Sequence, residues 1–172
     1  MMIRKAKLSD AEGVTRVSVE GWKTTYKDIM PKEYLDHISF DDRLETWLTI
    51  IPNGNVFVAE DEEHGIVGFS SGGKERTGLY DEYTGELYAI YVLEEFQGKG
   101  IGGSLLKPVV DFLLEYHLNS MLVWVLEENK SKRFYETLGG KVIDKEEVEF
   151  GGLYLTEVAY GWKDIQSLFL AN

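Results

Sequence analysis

Glycine is concentrated in one short segment of this chain, between an apolar strand and an apolar helix. Residues 86–106 read ELYAIYVLEEFQGKGIGGSLL, with Gly98, Gly100, Gly102 and Gly103 near the middle. Glycine adopts positive φ without strain and lets a ligand approach the backbone closely. The unpaired N–H groups and the positive dipole end of the following helix favour an anion such as a pyrophosphate. The order of strand, glycine loop and helix therefore predicts a phosphate cradle.

The bulk properties are those of a globular chain without cysteine. Its 172 residues fit one domain, taken as residues 1–172, and the 44% hydrophobic content can supply a core. Zero cysteines exclude disulfides and thiol nucleophiles. The sequence contains no apolar run of about 18 residues to cross a bilayer, and its first residues lack an apolar signal core. We therefore expect a cytoplasmic protein with no membrane partner.

The charge balance of the chain is acidic. Lys and Arg total 18 against 30 Asp and Glu, which gives a formal net charge of −12. This charge repels nucleic-acid backbones, so we expect no nucleic-acid partner. The acidity either serves solubility alone or attracts a cationic small molecule, and the sequence leaves both interpretations open.

The first half of the chain has helical patterns followed by strand patterns. A helix is expected over residues 41–50, with Asp41 or Asp42 as its N-cap and an apolar face that includes Trp47. Residues 52–55 read Pro-Asn-Gly-Asn, which predicts a turn. Two runs of strand character then follow, joined by a hairpin loop.

The second half of the chain fixes the fold class. Apolar residues at helical spacing predict a helix from the glycine loop to about His117, bent at Pro108. The unbroken apolar run at residues 121–126 is typical of a central strand, and residues 141–160 read as a closing hairpin. We expect an α/β domain of mixed type, with a mostly antiparallel sheet of about seven strands flanked by about four helices.

One literal motif in the glycine loop indicates a different class of enzyme. Gly98-x-Gly100-x-x-Gly103 fits the dinucleotide-binding pattern, so an NAD-dependent enzyme is an alternative. In that fold the glycine turn follows the first strand of a parallel unit, and an acid ends the next strand about 20 residues on. Here several antiparallel-looking strands precede the loop, and the strand at 121–126 has no acid before Glu127. The context therefore disfavours NAD.

Three segments together carry a family resemblance. Residues 90–102 combine Ile-Tyr-Val with Gln-x-x-Gly-x-Gly, which resembles the acetyl-coenzyme-A signature of the GNAT superfamily of N-acetyltransferases. Residues 124–140 are similar to the strand and helix that complete the cofactor site in that family. Residues 21–31 resemble the substrate-side helices of many bacterial members. Together these segments span most of the expected fold.

The resemblance implies acetyl-CoA as co-substrate and no metal. The glycine loop would hold the pyrophosphate through backbone N–H groups. The preceding strand would bond the pantetheine arm in a gap where the fourth strand splays from the fifth. Lys99 either contacts a phosphate or is solvated, and Asn129 caps its helix, bonds the pantetheine, or does both. The expected cofactor-binding residues are Ile90, Tyr91, Val92, Gln97, Gly98, Lys99, Gly100, Ile101, Gly102 and Asn129.

The resemblance also implies direct transfer of the acetyl group to a primary amine in a ternary complex. Tyr135 would be the general acid that protonates the leaving thiolate, and its alternative role is helix packing. Glu86 is placed like the glutamate base of the histone-acetylating branch, and its alternative is a solvated carboxylate. Tyr88 lies on the same strand face as Glu86 and would support a water relay.

Substrate recognition would fall to Trp22, Tyr26 and Met30, together with Tyr88. Aromatic faces can hold an ammonium group, although aromatic residues at helical spacing also serve as core. The acceptor would be an amine of a small molecule or peptide. A non-catalytic acyl-CoA-binding module is the alternative function. The closing hairpin and residues 168–170, Leu-Phe-Leu, are a candidate homodimer edge.

Overall fold

The computed structural model describes residues 1–169, which form one seven-stranded sheet with helices on both faces. The elements in chain order are β1 (Met2–Lys5), α1 (Ala11–Tyr26), α2 (Lys32–Asp36), α3 (Phe40–Asn53), β2 (Val56–Asp61), β3 (Gly65–Lys74), β4 (Gly85–Val92), α4 (Ile101–Glu115), β5 (Met121–Leu126), α5 (Lys132–Thr137), β6 (Lys141–Phe150) and β7 (Leu153–Trp162). The described residues thus contain five α-helices, where the sequence indicated about four.

The strand order in the sheet is β1-β2-β3-β4-β5-β7-β6. Neighbouring strands are antiparallel except β4 and β5, which run parallel. A parallel pair needs a long crossover, and the glycine loop with α4 provides it. The expected mostly antiparallel sheet of mixed α/β class is confirmed.

The core lies on both faces of the sheet. On one face α1 buries Val14 and Val17. On the other face α4 buries Leu106, Val109 and Leu113 in a second cluster that includes residues of β5 and β7. These positions recur at the spacing that places residues on one side of a helix, which explains why α4 could be predicted from the sequence. Strand β4 contributes to both clusters, with Tyr91 packed against the first and Leu87 in the second.

Helix α3 differs from the prediction at both ends. Its N-cap is Ser39, whose hydroxyl accepts the backbone N–H of Asp42 at 3.1 Å, so Asp41 and Asp42 lie in the first turn instead of capping it. The helix continues to Asn53 and contains Pro52, so the predicted turn at this point is wrong. A proline in the last turn removes only one hydrogen bond, which the rest of the helix tolerates.

Helix α4 is continuous through Pro108. The proline lacks the N–H that would bond the carbonyl of Ser104, but its neighbour Val109 is fully buried against the sheet. Packing on both sides of the proline therefore keeps the helix in one piece, and the bend at Pro108 stays a prediction.

The tip of the β6–β7 hairpin packs on α1 and α2 of the same chain. The Phe150 ring lies 6.1 Å from the rings of both Trp22 and Tyr34. A Cβ on Gly151 would come within 2.8 Å of the Tyr34 ring, so the glycine permits this contact. Of the candidate homodimer edge, Leu168 and Phe169 lie in a short 3₁₀ turn, and residue 170 lies outside the described residues. Within residues 1–169, no helix has the length and apolar character needed to cross a membrane.

Candidate active site

The sheet opens between β4 and β5. The two strands pair only at Gly85, Glu86 and Leu87 of β4, opposite residues 121–123 of β5. Beyond Leu87 the strands diverge, and a cavity of about 820 Å³ occupies the opening. The cavity is lined by β4, the glycine loop, β5, the end of α1 and the start of α5. The splay expected between the fourth and fifth strands is thus present.

A β-bulge in β4 accompanies this divergence. Ser71 of β3 pairs with Ala89, but the next residue, Gly72, pairs with Leu87, so Tyr88 is an extra residue without a partner. A Cβ on Gly72 would lie 2.5 Å from a Val109 methyl group, so this position needs glycine. The bulge increases local twist and bends the strand away from its neighbour. The sequence alone did not reveal it.

The glycine loop presents a run of unpaired backbone N–H groups. Within residues 1–169, no backbone or side-chain acceptor takes a hydrogen bond from the N–H groups of residues 98–103. Gly98 and Gly100 have φ of +72° and +79°, a region that other residues adopt only with strain. Gly100 is also the N-cap of α4, so the dipole of that helix adds positive potential at the loop. Such a cradle can hold a diphosphate.

Gln97 shapes the loop through both its backbone and its side chain. Its own N–H donates to the carbonyl of Glu94 at 3.2 Å, so this amide is used internally. Its side-chain amide donates to the Val92 carbonyl at 2.9 Å. Gln97 lines the cavity, and these bonds tie the loop to the end of β4.

The free edge of β4 offers backbone groups to the opening. The N–H of Leu93 donates to the carbonyl of Val67 of β3, and antiparallel partners alternate in bonding. Tyr91 therefore bonds toward β3, while Ile90 and Val92 direct their backbone groups away from it into the gap. An extended ligand arm could pair with this edge as an added strand.

Lys99 does not line the cavity. Its ammonium lies 5.1 Å from the centre of the Phe96 ring and the residue is exposed. Ile101, Gly102 and Gly103 do line the cavity, and Phe134 lies 3.7 Å from where a Cβ of Gly102 would be. Gly103 was absent from the sequence-based set of site residues, although it extends the same run of unpaired N–H groups.

Tyr135 projects from α5 into the opening. Its ring is buried against Tyr160 and Trp162 at 6.1 and 6.3 Å, and the residue lines the cavity. In the described part of the chain no fully buried side-chain oxygen lacks a hydrogen-bond partner. The Tyr135 hydroxyl has no partner there, so it must reach the open space. Burial raises its pKa well above the usual value, and the hydroxyl therefore stays a proton donor.

Asn129 is buried at the start of the turn that leads to α5. Its side-chain oxygen accepts the N–H of Ser131 at 2.9 Å, and its amide nitrogen lies 3.5 Å from the Tyr26 hydroxyl. Both Asn129 and Tyr26 line the cavity. Asn129 thus orders the local turn and also presents its amide to the opening.

Three tyrosine side chains gather at this opening. Burial raises the pKa of Tyr26, Tyr91 and Tyr135, and the nearby Tyr26 hydroxyl raises that of the other two further. Tyr91 extends from the sheet toward α1, where a Cβ on Gly21 would lie 2.9 Å from its ring. The sequence indicated only its backbone as functional. All three hydroxyls remain protonated at neutral pH.

Glu86 is held by an ion pair at the paired end of β4. The residue is only 2% exposed, and its carboxylate accepts the N–H and the guanidinium of Arg76. The Arg76 guanidinium also stacks over the Tyr88 ring at 4.4 Å. Tyr88 lines the cavity, whereas Glu86 does not. The prediction of a solvated carboxylate is therefore wrong, and Glu86 as a base remains a prediction.

A family comparison agrees with this geometry. The sequence matches the Acetyltransferase (GNAT) family over residues 19–139, which is most of the chain. The chain belongs to the GNAT family. It is accordingly an acyltransferase of the N-acetyltransferase type. The nicotinamide alternative is wrong, because the glycine loop follows a strand that pairs antiparallel with β3.

Similar GNAT proteins cover nearly the whole chain. The uncharacterized N-acetyltransferase YuaI of Bacillus subtilis is 40% identical over 166 residues, which is 96% of this chain and 95% of YuaI. YncA from Salmonella typhimurium, solved with its cofactor acetyl-CoA, has a TM-score of 0.69 at 25% identity and covers 94% of this chain and 92% of its own. The PaiA N-acetyltransferase of Thermoplasma acidophilum, solved with coenzyme A, shares the fold at a TM-score of 0.71 and 24% identity, over 91% and 96% of the two chains.

Of the predicted substrate-binding residues on the first helices, only some reach the cavity. Tyr26 lines the cavity, but Met30 is buried beside Leu35 and Leu126 and does not reach it. Trp22 lies between the Arg43 guanidinium, 5.1 Å from its ring, and the Phe150 ring, and it also lies outside the cavity lining. Trp22 and Met30 therefore support the wall behind Tyr26.

Proposed function

We propose that the protein transfers the acetyl group of acetyl-CoA directly to a primary amine of a small molecule or peptide, with both substrates bound at once. One observation carries this proposal. The run of unpaired N–H groups at residues 98–103 lies at one end of the opening between β4 and β5, and the Tyr135 hydroxyl reaches the same opening. Such an arrangement suits a diphosphate with a reactive arm.

The residues around the opening fit coenzyme A. The loop N–H groups would hold its diphosphate, and the outward backbone groups of Ile90 would bond its pantetheine arm. Asn129 would bond the same arm from the β5 side. When bound, acetyl-CoA supplies the acetyl thioester. The similar protein YncA was solved with acetyl-CoA, which supports the same co-substrate for this chain.

The reaction requires proton transfer at two atoms, the nitrogen of the acceptor and the sulfur of coenzyme A. The acceptor nitrogen loses two protons per turnover, of which one ends on the coenzyme A thiol and the other in solvent. Tyr135 would donate to the sulfur through its hydroxyl, because burial keeps that hydroxyl protonated. The outward N–H of Val92 would donate a hydrogen bond to the acyl oxygen as that oxygen gains charge.

The acceptor would enter on the side of the gap where α1 and α2 lie. Tyr26 and Tyr88 line the cavity there, and their rings can hold an ammonium group. The formal net charge of −12 attracts cationic amines over a Debye length of about 8 Å. We therefore place amines with positive charge first among acceptors. A cytoplasmic location and a homodimer remain parts of this proposal.

An amine screen with thiol detection tests the function. Purified protein is mixed with acetyl-CoA and a panel of polyamines, amino-acid derivatives, aminoglycosides and peptide N-termini. We expect release of free coenzyme A, a mass increase of one acetyl group on one acceptor, and a kcat of about 1–10³ s⁻¹. Tight coenzyme A binding with no acceptor modified would contradict catalysis and favour a non-catalytic acyl-CoA-binding module.

A further inference from the structure

Glu157 lies on β7 next to residues that line the opening, although it is not itself among the lining residues. Its Cα partners are Leu126 of β5 and Glu146 of β6, and directly opposed residues of an antiparallel pair share one face. Leu126 packs against Tyr26 of α1, so Glu157 is on the face that α1 covers. Trp124 lines the cavity, and its partner Ala159 is two residues from Glu157. Glu157 is thus a diagonal neighbour of Trp124 in the sheet, and the Cα atoms of such neighbours lie roughly 7–8 Å apart.

Glu157 differs from the other carboxylates that are not exposed. Each of those has a hydrogen-bond donor: Arg4 for Asp10 and Glu60, backbone N–H groups for Asp61 and Glu75, Arg76 for Glu86, Lys145 for Glu127 and Tyr80 for Asp144. Glu157 is half-buried and has no hydrogen-bond donor within residues 1–169. Because no fully buried side-chain oxygen of the described residues lacks a partner, the Glu157 oxygens must reach open space. A half-buried carboxylate that no protein donor stabilises is unfavourable for the fold, which is typical of a functional group.

The charges around Glu157 come from three elements. Burial raises its pKa, and the like charge of Glu146 on β6 raises it further, while Arg76 in the loop after β3 lowers it. On the α1 side the facing titratable group is Tyr26, whose pKa Glu157 raises in turn. An acid of raised pKa accepts a proton more readily than an ordinary glutamate.

We propose that Glu157 is the catalytic base, which binds the ammonium group of the acceptor and takes its first proton. This proposal rests on the proposed acetyl transfer. An N–H bond of the ammonium breaks, an O–H bond forms on the Glu157 carboxylate, and the electron pair of the N–H bond stays on nitrogen. The neutral amine then has its lone pair for attack, and Glu157 releases the proton to solvent before the next turnover.

Glu86 is less suited to this task. Its carboxylate already accepts three hydrogen bonds from Arg76, which leaves its oxygens occupied. An oxygen that is engaged in charge-assisted bonds holds a new proton less readily. Substituting Glu86 and Glu157 one at a time therefore shows which of the two is the catalytic base.

The pH dependence of kcat/KM is the test. For the wild-type enzyme we expect a plateau above an acid limb whose midpoint lies above about 4.3, the ordinary value for glutamate. Glu157→Gln should lose about 100-fold in kcat at pH 7, and its rate should rise about tenfold per pH unit toward the pKa of the acceptor amine. Glu86→Gln should keep the acid limb.

Two neighbours on β6 provide matched variants. Glu146→Gln removes the like charge, so the acid limb should move to lower pH. Glu147 has Thr156 as its Cα partner, which places it on the other face, so Glu147→Gln should leave the profile unchanged.

Thermal unfolding gives a readout that does not depend on activity. Because the native pKa of Glu157 is raised, its charge destabilises the fold above that pKa and has no such effect below about pH 4, where the group is protonated in both states. Glu157→Gln should therefore melt about 2 °C higher than wild type at pH 8 and equally at pH 4.

Each outcome decides between defined alternatives. A Glu157→Gln enzyme with wild-type kcat and acid limb, one changed only in KM, or one that melts lower at pH 8 would overturn the role of Glu157 while the acetyltransferase proposal stands. A wild-type protein that acetylates no amine would overturn both. Loss of the acid limb only in Glu86→Gln would assign the base to Glu86 instead.

Discussion

Leu87 of β4 and Val123 of β5 are the last Cα partners of the parallel pair at the centre of the sheet. After this pair, β4 keeps its hydrogen bonds to β3 but leaves β5, and the free edge faces the cavity. Every functional assignment for this protein depends on that divergence, because it lets the loop amides, Tyr135 and the acceptor-side tyrosines share one space.

Gly100→Ala tests the glycine loop. The residue has φ +79°, and no heavy atom lies within 4 Å of the place where a Cβ would stand, so the substitution introduces backbone strain and no clash. A left-handed non-glycine residue costs roughly 1–2 kcal/mol, and relief of that strain would turn the neighbouring N–H groups out of line. We expect coenzyme A affinity to fall about tenfold, measured by titration calorimetry.

Gly65→Ala is the matched control for the loop. Gly65 has φ +69°, is equally open, and begins β3 outside the cavity lining. This variant should lose the same roughly 1–2 kcal/mol of stability but keep wild-type coenzyme A affinity. Equal affinity losses in both variants would show that the Gly100 effect is global and not local.

Tyr135→Phe tests the general acid. Removal of the hydroxyl should lower kcat about 100-fold, while the ring packing and coenzyme A affinity are retained. Since burial raises the pKa of Tyr135, the wild-type enzyme should show no loss of rate from this group up to about pH 9. Steady-state kinetics with the best acceptor from the screen measures both effects.

Tyr160→Phe is the control for that substitution. The Tyr160 ring lies 6.1 Å from Tyr135, but its hydroxyl donates to Glu136 at 2.7 Å and it does not line the cavity. We expect about 1 kcal/mol lower stability with unchanged kcat. A Tyr135→Phe enzyme as active as Tyr160→Phe would remove Tyr135 from catalysis.

The ion pair of Arg4 and Asp10 makes stability depend on pH. The Arg4 guanidinium holds the pKa of Asp10 below its usual value, through bonds at 2.7 and 2.9 Å. The stabilisation is therefore complete above about pH 5 and is lost as pH falls through the depressed pKa. Arg4→Met should cost about 2 kcal/mol at pH 7 and progressively less below pH 4, in urea unfolding experiments.

An exposed pair gives the comparison for Arg4→Met. Lys107 bonds Asp111 at 2.7 Å, with side chains 57% and 58% exposed. Lys107→Met should change stability by less than about 0.5 kcal/mol at either pH. A pH-independent loss in Arg4→Met would mean that its packing, and not its charge, stabilises β1.

Arg76 and Glu86 should behave as a coupled pair. The Glu86 side chain is 2% exposed and that of Arg76 is 59% exposed, so Arg76→Met leaves a buried carboxylate without its cation. We expect this variant to lose about 2 kcal/mol, a value reduced for the solvent around Arg76. Arg76→Met with Glu86→Met should lose less than about 1 kcal/mol, because no buried charge remains. Additive losses in the double-mutant cycle would contradict coupling.

Sequence periodicity was sufficient for most of the fold. The apolar side of α4 and the unbroken run of β5 are local patterns, and they identified both elements that flank the glycine loop. Local patterns gave the wrong result at both ends of α3. At the start of the helix the Ser39 hydroxyl forms the N-cap, and not Asp41 or Asp42. At its end the helix includes Pro52, where the sequence predicted a turn.

The candidate site divides in the same way. The phosphate cradle could be predicted from its glycines, because tolerance of positive φ is a property of the glycine residue itself. The bulge at Tyr88, the Arg76 partner of Glu86 and the lack of a donor for Glu157 depend on strand pairing and loop contacts between different elements. No single-residue signal carries such pairing, so these features required the structure.

Hydrogen exchange with and without coenzyme A tests the central claim most directly. Amide exchange is measured residue by residue over residues 98–103, with the Gly65 turn as internal reference. If these N–H groups bind the diphosphate, their exchange should slow about tenfold or more at saturating coenzyme A while that of Gly65 is unchanged. Equal exchange of residues 98–103 in both samples would contradict the account.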